Sequence, residues 1–482
     1  MQPPRSDWQS CRQLVLRLAF VRGETLSSYV ERLTKTYGTT IPAMLSRLGL
    51  TSENDDRLAG YGIVLSDEVR ERFAFVTGLS PENVGDQLLS RYAGLVINLP
   101  PLPPTNVGAF IRNVASTEWA YFRGSHFCAE CLRESGGVWL IRWKLPWTFS
   151  CAKHGMLMHH TCPNCSKRPR AGGTHFNRMP EPTRCNNPCN TARPPRGTAL
   201  RRCGCSFVDL QGIVASSSTL EAQMKVNRML DEADERRDGS AFVTFSELRS
   251  ICALVLYASE VEDFEGLDAV QDEALRAHIQ LREAIADERN RTPKRCNGPH
   301  MRTYIGTPTN SALIAAVVQK ALPIVAGDSS VQVQESVQVI ADRVRTRTYR
   351  WHAADFFRLS GRLRAAFEEC LAKRAYFDRQ FGSRSSRLAA GDALCFEPQN
   401  VPQLFPEWDY HSRFLRFFPN IPERLARRFC SMAAVKLLGF TWARAATALE
   451  LPPEAENQAN YVIVRLRRDG NLDKFADELL SW

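Results

Sequence analysis

The feature that most constrains the fold of this chain is a dense group of cysteines between residues 126 and 205. Nine of the fifteen cysteines of the 482-residue chain fall in this stretch. A tetrahedral zinc ion takes four cysteine or histidine ligands, and two cysteines separated by two residues on a tight turn supply half of such a site. We therefore expect the centre of the chain to fold around metal ions.

The spacing of these residues predicts two zinc sites, which we call the first and the second cluster. The first cluster consists of Cys128, Cys131, Cys151 and His154, with His159 and His160 as alternatives to the histidine. The second cluster consists of Cys162, Cys165, Cys185 and Cys203, with Cys189 and Cys205 as alternative ligands. Because four protein ligands leave no coordination position for water or substrate, both zinc ions are expected to be structural.

Disulfide bonds and scattered core thiols are the alternatives to metal. Disulfides need an oxidising compartment, and the N-terminal residues MQPPRSDWQSCRQ contain no apolar segment typical of a secretory signal. We therefore expect metal-bound cysteines in place of disulfides, and a cytoplasmic, nucleoid-associated protein.

The cysteine-rich stretch resembles the TniQ/TnsD family of transposon target-selection proteins. In that family an aromatic residue precedes a Cys-x-x-Cys pair, a Trp-x-Leu-Pro segment follows, and a Cys-x-x-His-Gly leads into a second Cys-x-x-Cys. The chain matches this pattern at Phe127, Cys128, Cys131, Trp143, Leu145, Pro146, Cys151, His154, Gly155, Cys162 and Cys165. A Gly-Glu-x-Leu-x-Ser-aromatic segment that is common near the family's N-terminus is matched at Gly23, Glu24, Leu26, Ser28 and Tyr29. The resemblance covers roughly residues 14–205 and is interrupted by extra cysteines between Cys165 and Cys203.

This resemblance implies a DNA-binding adaptor in the selection of transposition target sites. Such proteins recognise a target DNA site or are delivered to it, and then recruit the AAA+ ATPase of the transposon. The ATPase in turn activates the transposase. The expected partners are therefore DNA and an AAA+ ATPase directly, and a transposase indirectly.

The charge of the chain agrees with a nucleic-acid partner. The formal net charge is +10 and the pI is near 9.0, which favours a polyanion. The longest apolar stretches, at residues 251–258 and 311–327, are too short or too interrupted to predict a membrane span. We therefore expect no membrane partner.

Helical periodicity dominates, which predicts a mainly α, multi-domain protein. In the first predicted helix Leu26, Tyr29, Val30 and Leu33 share one face, and Thr25 or Glu24 can cap its start. The predicted domains are a helical N-terminal domain at 1–120, a zinc-binding module at 121–212, a helical bundle at 213–330, and a helical C-terminal domain at 331–482 with a helix-turn-helix at about 430–468.

Two sets of residues are candidates for contact with DNA. The first set lies in a basic stretch around the second cluster and comprises Arg168, Arg170, Arg201 and Arg202. The second set lies in the last helix of the predicted helix-turn-helix and comprises Asn457, Asn460 and Arg465. A solvated loop and plain three-helix packing are the alternative interpretations.

No motif in the chain indicates catalysis. The phosphate loop of P-loop ATPases, the HExxH motif and the zinc-deaminase signature are all absent. A metal-dependent nuclease would need an open site with carboxylates, and Glu130 and Glu134 compete there with four better ligands. We therefore expect a protein that is not an enzyme, with a zinc-containing transcription regulator as the main alternative and a nuclease as a weaker one.

Overall fold

Helices provide most of the regular structure, which confirms the predicted mainly α fold. The structure is a computed structural model that describes residues 12–50, 61–101, 103, 107–115, 118–171, 181–188, 202–291, 306–327, 333, 336–341, 344, 357–359, 361–373, 398–437, 442–452 and 454–482. The chain divides into two units, each of which is described by itself. The first unit comprises Met1–Ser336 and Thr346–Arg364, and the second comprises Val337–Arg345 and Ala365–Trp482.

The described residues of the N-terminal part of the first unit form five α-helices. They are α1 (Leu26–Thr36), α2 (Ile41–Arg47), α3 (Asp67–Thr77), α4 (Pro81–Gly85) and α5 (Val107–Ala115). Helices α1 to α4 enclose one apolar core, to which α1 contributes the predicted face of Leu26, Tyr29, Val30 and Leu33, all fully buried. The prediction for this face is therefore confirmed.

Thr25, and not Glu24, caps the start of α1. The side-chain oxygen of Thr25 accepts a hydrogen bond from the backbone N–H of Ser28 at 3.2 Å, which satisfies one of the free donors of the first turn. Glu24 is fully buried, and its carboxylate contacts Arg32 at 2.6 Å and accepts from Ser28 Oγ at 2.8 Å. Glu24 thus ties the end of the N-terminal extended segment to the body of α1.

The cysteine-rich part of the first unit contains little regular secondary structure and many aromatic side chains. It contains α6 (Ala129–Ser135) and an antiparallel pair of strands, β1 (Ser150–Cys151) and β2 (Met156–Leu157), in which Cys151 lies opposite Met156. Phe127, Trp139, Trp143 and Phe207 are buried together with the cysteines. Backbone hydrogen bonds from Thr25 to Trp139 (2.8 Å) and from Ile141 to Gly23 (2.7 Å) join this part to the N-terminal helices.

After the cysteine-rich part, four α-helices among the described residues of the first unit form a bundle. They are α7 (Ser217–Arg236), α8 (Ser240–Ala258), α9 (Ala269–Arg291) and α10 (Ser311–Ala326), and α10 packs against the other three. Gln223 of α7 accepts hydrogen bonds from the backbone N–H groups of Phe149 and Ser150, both at 2.9 Å. The predicted segments 1–120, 121–212 and 213–330 therefore contact one another within one unit.

Helix α8 is the one helix among the described residues that is long and apolar enough, by length and composition, to cross a membrane. In this structure 67% of the apolar segment of this helix is buried inside the unit. A buried core helix has the same length and composition, so these properties are weak support for a membrane span. The expectation of no membrane partner stays a prediction.

The second unit is also helical in its described part. Helix α11 (Gly361–Lys373) begins in the last residues of the first unit and continues into the second, and a π-helical turn follows at Tyr410–Phe414. The remaining helices are α12 (Glu423–Leu437), α13 (Trp442–Ala448), α14 (Ala455–Arg468) and α15 (Leu472–Ser481). Helices α12, α13 and α14 pack against one another in pairs around a core that includes Phe429, Ala445 and Val462.

Candidate metal centres

The first cluster forms where the start of α6 meets the turn between β1 and β2. Cys128 stands at the N-cap of α6 and Cys131 lies in its first turn, while Cys151 ends β1. The turn then places His154 against the three thiols, with Gly155 at φ 66° closing it and donating its N–H to the Cys151 carbonyl at 2.8 Å. Glycine adopts this left-handed conformation without strain.

The distances within the first cluster fit a tetrahedral zinc ion. His154 Nδ1 lies 3.4 Å from Cys128 Sγ, 3.3 Å from Cys131 Sγ and 3.4 Å from Cys151 Sγ. The Sγ atoms of Cys131 and Cys151 are 3.6 Å apart. With zinc–sulfur bonds of about 2.3 Å and a zinc–nitrogen bond of about 2.0 Å, tetrahedral ligands are separated by about 3.8 Å (S to S) and about 3.5 Å (S to N). The residues present therefore fit such an ion.

Glu134 supports the histidine of the first cluster from behind. Its Oε1 lies 3.1 Å from His154 Nε2, the ring nitrogen that faces away from the thiols, and its other oxygen contacts Lys153. These two contacts lower the pKa of the Glu134 carboxyl, with the Lys153 contact as the larger cause. A carboxylate on the outer nitrogen of a metal-binding histidine fixes the tautomer that leaves the inner nitrogen free to bind metal.

The sequence pointed to Glu134 for a different reason. An open nuclease site would use Glu130 and Glu134 as carboxylate ligands, but neither belongs to the first cluster. Glu130 forms a salt bridge with Arg133 on the same helix, and Glu134 contacts His154 only through the outer nitrogen. The position of Glu134 one turn after Cys131 on α6 is the signal that could have indicated its supporting role.

The second cluster brings together Cys162, Cys165, Cys185 and Cys203, whose Sγ atoms all lie within 4.8 Å of one another. Cys162 Sγ is 3.6 Å from Cys203 Sγ, and Cys165 Sγ is 3.7 Å from Cys185 Sγ, again close to a tetrahedral edge. Two backbone hydrogen bonds hold the segments of Cys185 and Cys203 together. The Cys203 N–H donates to the Asn187 carbonyl at 2.9 Å, and the Gly204 N–H donates to the Cys185 carbonyl at 2.9 Å.

The alternative ligands that the sequence offered for the two clusters are not part of either cluster in the described residues. Cys205 lies outside the second cluster, and its Sγ is 3.8 Å from the carbonyl oxygen of Ser206. Cys189 lies outside the described residues. The histidine alternatives in the first cluster are also placed elsewhere: His159 stacks on Phe127 at 4.9 Å and His160 Nδ1 lies 3.3 Å from Ser311 Oγ.

Two amides approach the sulfurs of the second cluster. Asn164 donates to Cys203 Sγ at 3.1 Å, and Asn187 Nδ2 lies 3.9 Å from Cys165 Sγ. Although burial raises the pKa of the Cys203 thiol, hydrogen bonds from the Cys205 backbone and from Asn164 bring it down to about 7. Donors of this kind stabilise a thiolate, which is the form that binds metal. Both asparagines were missed from the sequence.

The thiols of the first cluster influence one another's ionisation. Contacts with Cys128 and Cys151 raise the pKa of the Cys131 thiol, whereas contacts with Cys128 and Cys131 lower the pKa of the Cys151 thiol. Thiols this close share protons, because neighbouring thiolates repel each other. A divalent cation at the centre would stabilise all three thiolates together, which is the chemistry that a structural zinc ion supplies.

Arg170 and Arg168, two candidate DNA contacts, are engaged within the first unit. The Arg170 guanidinium forms a two-pronged ion pair with Glu31, which is 6% exposed, and lies 4.9 Å from the Trp139 ring centroid. Arg168 lies over the Tyr121 ring at 4.3 Å, and burial lowers its pKa. A phosphate contact by Arg170 would first have to separate it from a buried carboxylate, which is costly.

The other candidate DNA contacts are placed as follows. Arg202 is half-buried and donates to the Asn186 carbonyl at 2.9 Å, while Arg201 lies outside the described residues. On α14, Asn457 is exposed, whereas Asn460 and Arg465 are half-buried. Contact with DNA stays a prediction for all of them.

A further group of potential ligands, which the sequence did not indicate, occurs in the second unit. Glu407, His411 and Glu423 bring their polar atoms within 4.8 Å of one another, and all three are exposed. Arg427 Nη1 lies 3.3 Å from both carboxylates and already supplies them with a positive charge. Exposed groups of this kind are common without an ion, so we assign no metal to them.

Comparison with known proteins agrees with the sequence resemblance. Residues 15–158 match the family model described as TniQ. The match contains α1 to α6, both strands and all four residues of the first cluster, and it ends before Cys162. Searches of curated proteins and of solved structures found no match. Residues 15–158 therefore form a TniQ family domain.

Proposed function

We propose that this protein is a DNA-binding adaptor that directs transposition to its target sites. It binds target DNA and recruits an AAA+ ATPase, which in turn activates the transposase. The observation that carries the proposal is the match to the TniQ family over residues 15–158, a transposition-associated family. The net charge of +10 supports a nucleic-acid partner.

Each cluster holds one structural zinc ion in this proposal. The tetrahedral spacing of the ligand atoms, the carboxylate behind His154 and the amides near the second cluster support zinc. Four protein ligands leave no open position on either ion, so the protein is not an enzyme and the zinc performs no chemistry. The zinc ions fix α6 and the strands against the aromatic core instead.

The second unit supplies the DNA-binding surface. Helices α12, α13 and α14 pack in pairs, as the three helices of a helix-turn-helix module do. The segment that spans them, residues 423–468, contains eight arginines and lysines against four acidic residues. Asn457, Asn460 and Arg465 are its predicted contacts. Arg168, Arg201 and Arg202 are the predicted contacts of the first unit, where Arg170 would first have to leave the buried carboxylate of Glu31. The protein works in the cytoplasm at the nucleoid.

The three-helix arrangement would equally suit a zinc-containing transcription regulator, so the test has to separate the two functions. The purified chain is incubated with a transposon AAA+ ATPase, with and without duplex DNA. DNA-dependent capture of the ATPase supports the adaptor. DNA binding without capture of the ATPase supports the regulator, and metal-dependent cleavage of the DNA would indicate a nuclease.

A further inference from the structure

The outward face of α14 carries an unusual combination of side chains. Its inward face is apolar and packs into the core of the second unit; it consists of Ala455, Ala459, Val462, Ile463 and Leu466. These positions recur every three to four residues and so lie on one side of the helix. The inward face fixes the rotation of α14, and with it the residues that point directly outward.

At 100° per residue, the positions opposite the core are Asn457, Tyr461, Val464 and Arg468, which we call the outer stripe. All four are exposed: Tyr461 is 50% exposed, Val464 is 42% exposed, and Asn457 and Arg468 lie at the two ends. The other two predicted contacts lie to the sides of this stripe. Asn460 and Arg465 are half-buried, and Asn460 Oδ1 and Arg465 Nε are buried atoms.

The side chains of the outer stripe are more typical of a helix face that contacts the major groove of duplex DNA than of a face that is exposed only to solvent. A helix face that only meets water is usually polar, although one exposed apolar residue on such a face is ordinary. Here a tyrosine and a valine occupy neighbouring turns at the centre of the exposed face, flanked by an amide and a guanidinium. Asparagine can bond adenine through two hydrogen bonds, and apolar side chains contact the methyl group of thymine.

Charge and position favour DNA over another protein as the partner of this face. Residues 423–468 carry an excess of four positive charges, and Arg468 at the C-terminal end of the stripe is 63% exposed, with its Nε 3.3 Å from Asp469 Oδ1. In a helix-turn-helix the last helix of the three enters the major groove, with its N-terminal half towards the base edges. Asn457 and Tyr461 lie in that half of α14, and Arg468 at its other end can reach a phosphate.

We propose that the outer stripe reads A·T pairs in the major groove of duplex DNA. Asn457 bonds adenine, Tyr461 and Val464 contact thymine methyl groups, and Arg468 contacts the backbone. This inference rests on the proposed function only in that the chain binds DNA directly. It assigns base readout to Asn457, and not to Asn460 or Arg465.

The test begins with the selection of bound duplexes from a random-sequence library by the full-length chain. The enriched duplex and a scrambled duplex of the same composition are then compared at one fixed salt concentration. Asn457→Ala should lower the preference for the enriched duplex by roughly 5- to 100-fold, as expected for loss of a two-bond contact to a base. Its affinity for the scrambled duplex should not change. Gln458→Ala, which removes an amide beside the stripe, is the matched control and should behave as the unmodified chain.

The thymine contacts are tested by replacing thymine with deoxyuridine, which lacks only the methyl group. At one or more positions this replacement should weaken binding of the unmodified chain several-fold, and Tyr461→Ala or Val464→Ala should abolish that sensitivity. Far-UV circular dichroism and thermal unfolding establish that each variant is folded.

Other results would overturn the inference. If Asn457→Ala, Tyr461→Ala and Val464→Ala all keep the preference for the enriched duplex, bases are read elsewhere and the proposed function still stands. If DNA binds without any sequence enrichment, the outer stripe reads no bases, and the ATPase capture decides the proposed function separately. If the variants instead turn a dimer into a monomer while DNA binding is unchanged, the stripe is a protein interface.

Discussion

Replacing Glu134 by alanine should weaken zinc binding at the first cluster while leaving the second cluster unaffected. Glu134 Oε1 lies 3.1 Å from His154 Nε2, and His154 Nδ1 lies 3.3 to 3.4 Å from the three thiols. The carboxylate therefore orients the ring for metal binding and makes the ligand nitrogen more basic. Without it, the imidazole must hold the same geometry unsupported.

The size of the effect follows from the surroundings of the carboxylate. Loss of such a partner typically lowers metal affinity by about 10- to 100-fold. The Glu134 side chain is 50% exposed and is shared with Lys153, so water screens part of its effect on His154. We therefore expect the lower end of the range, about tenfold.

Competition between the full-length chain and a chromophoric chelator measures this change. The chain should release zinc in two steps, and the second cluster serves as the internal reference. Glu130→Ala is the matched control, because Glu130 lies on the same helix and pairs with Arg133 without contacting His154. Equal zinc affinities for Glu134→Ala and Glu130→Ala would refute the supporting role, as would an equal loss at both clusters.

Three further predictions concern stability. Cys151→Ser should unfold the cysteine-rich part of the first unit, since a structural zinc site contributes about 10–16 kcal/mol to folding; a folded variant that still holds two zinc ions by elemental analysis would contradict this. Glu118→Ala should lower the free energy of unfolding in urea by roughly 3–5 kcal/mol, because Arg249, 2.7 Å from this buried carboxylate, loses its counter-charge. A loss below about 1 kcal/mol would show that the ion pair is dispensable for stability. Burial lowers the pKa of His278, so the folded state keeps it neutral and stability should fall as the pH drops below the unfolded pKa of about 6.5. His278→Gln should show a shallower loss between pH 7 and pH 5 in the same assay, and an identical pH profile would exclude this contribution.

The grouping of the residues in both clusters could be predicted from the sequence because the pattern is local. Cys-x-x-Cys places two thiols on one turn, and Cys151 with His154 repeats the arrangement after one loop. The structure groups these residues as predicted. The choice of Cys203 over Cys205 depends on the backbone pairing of Cys203 with Asn187 and of Gly204 with Cys185, which spacing alone does not determine.

The roles of the basic residues could not be predicted, because their partners are distant in sequence. Arg170 pairs with Glu31 and packs on Trp139, and nothing in the local charge pattern around Arg170 indicates either contact. A basic stretch looks the same in sequence whether it faces water, phosphates or buried carboxylates. The exposure of the predicted DNA contacts on α14 could not be predicted for a related reason. The apolar core sets the rotation of this helix, and that rotation exposes Asn457 and half-buries Asn460.

The central claim is that this protein selects the target of transposition, and mapping of insertion sites tests it most directly. Transposition is reconstituted with a transposon AAA+ ATPase and its transposase, and insertions are sequenced with and without this chain. We predict that insertions concentrate at a fixed distance from one DNA site only when the chain is present, and that Cys151→Ser abolishes this concentration. An identical distribution of insertions with and without the chain would contradict the claim.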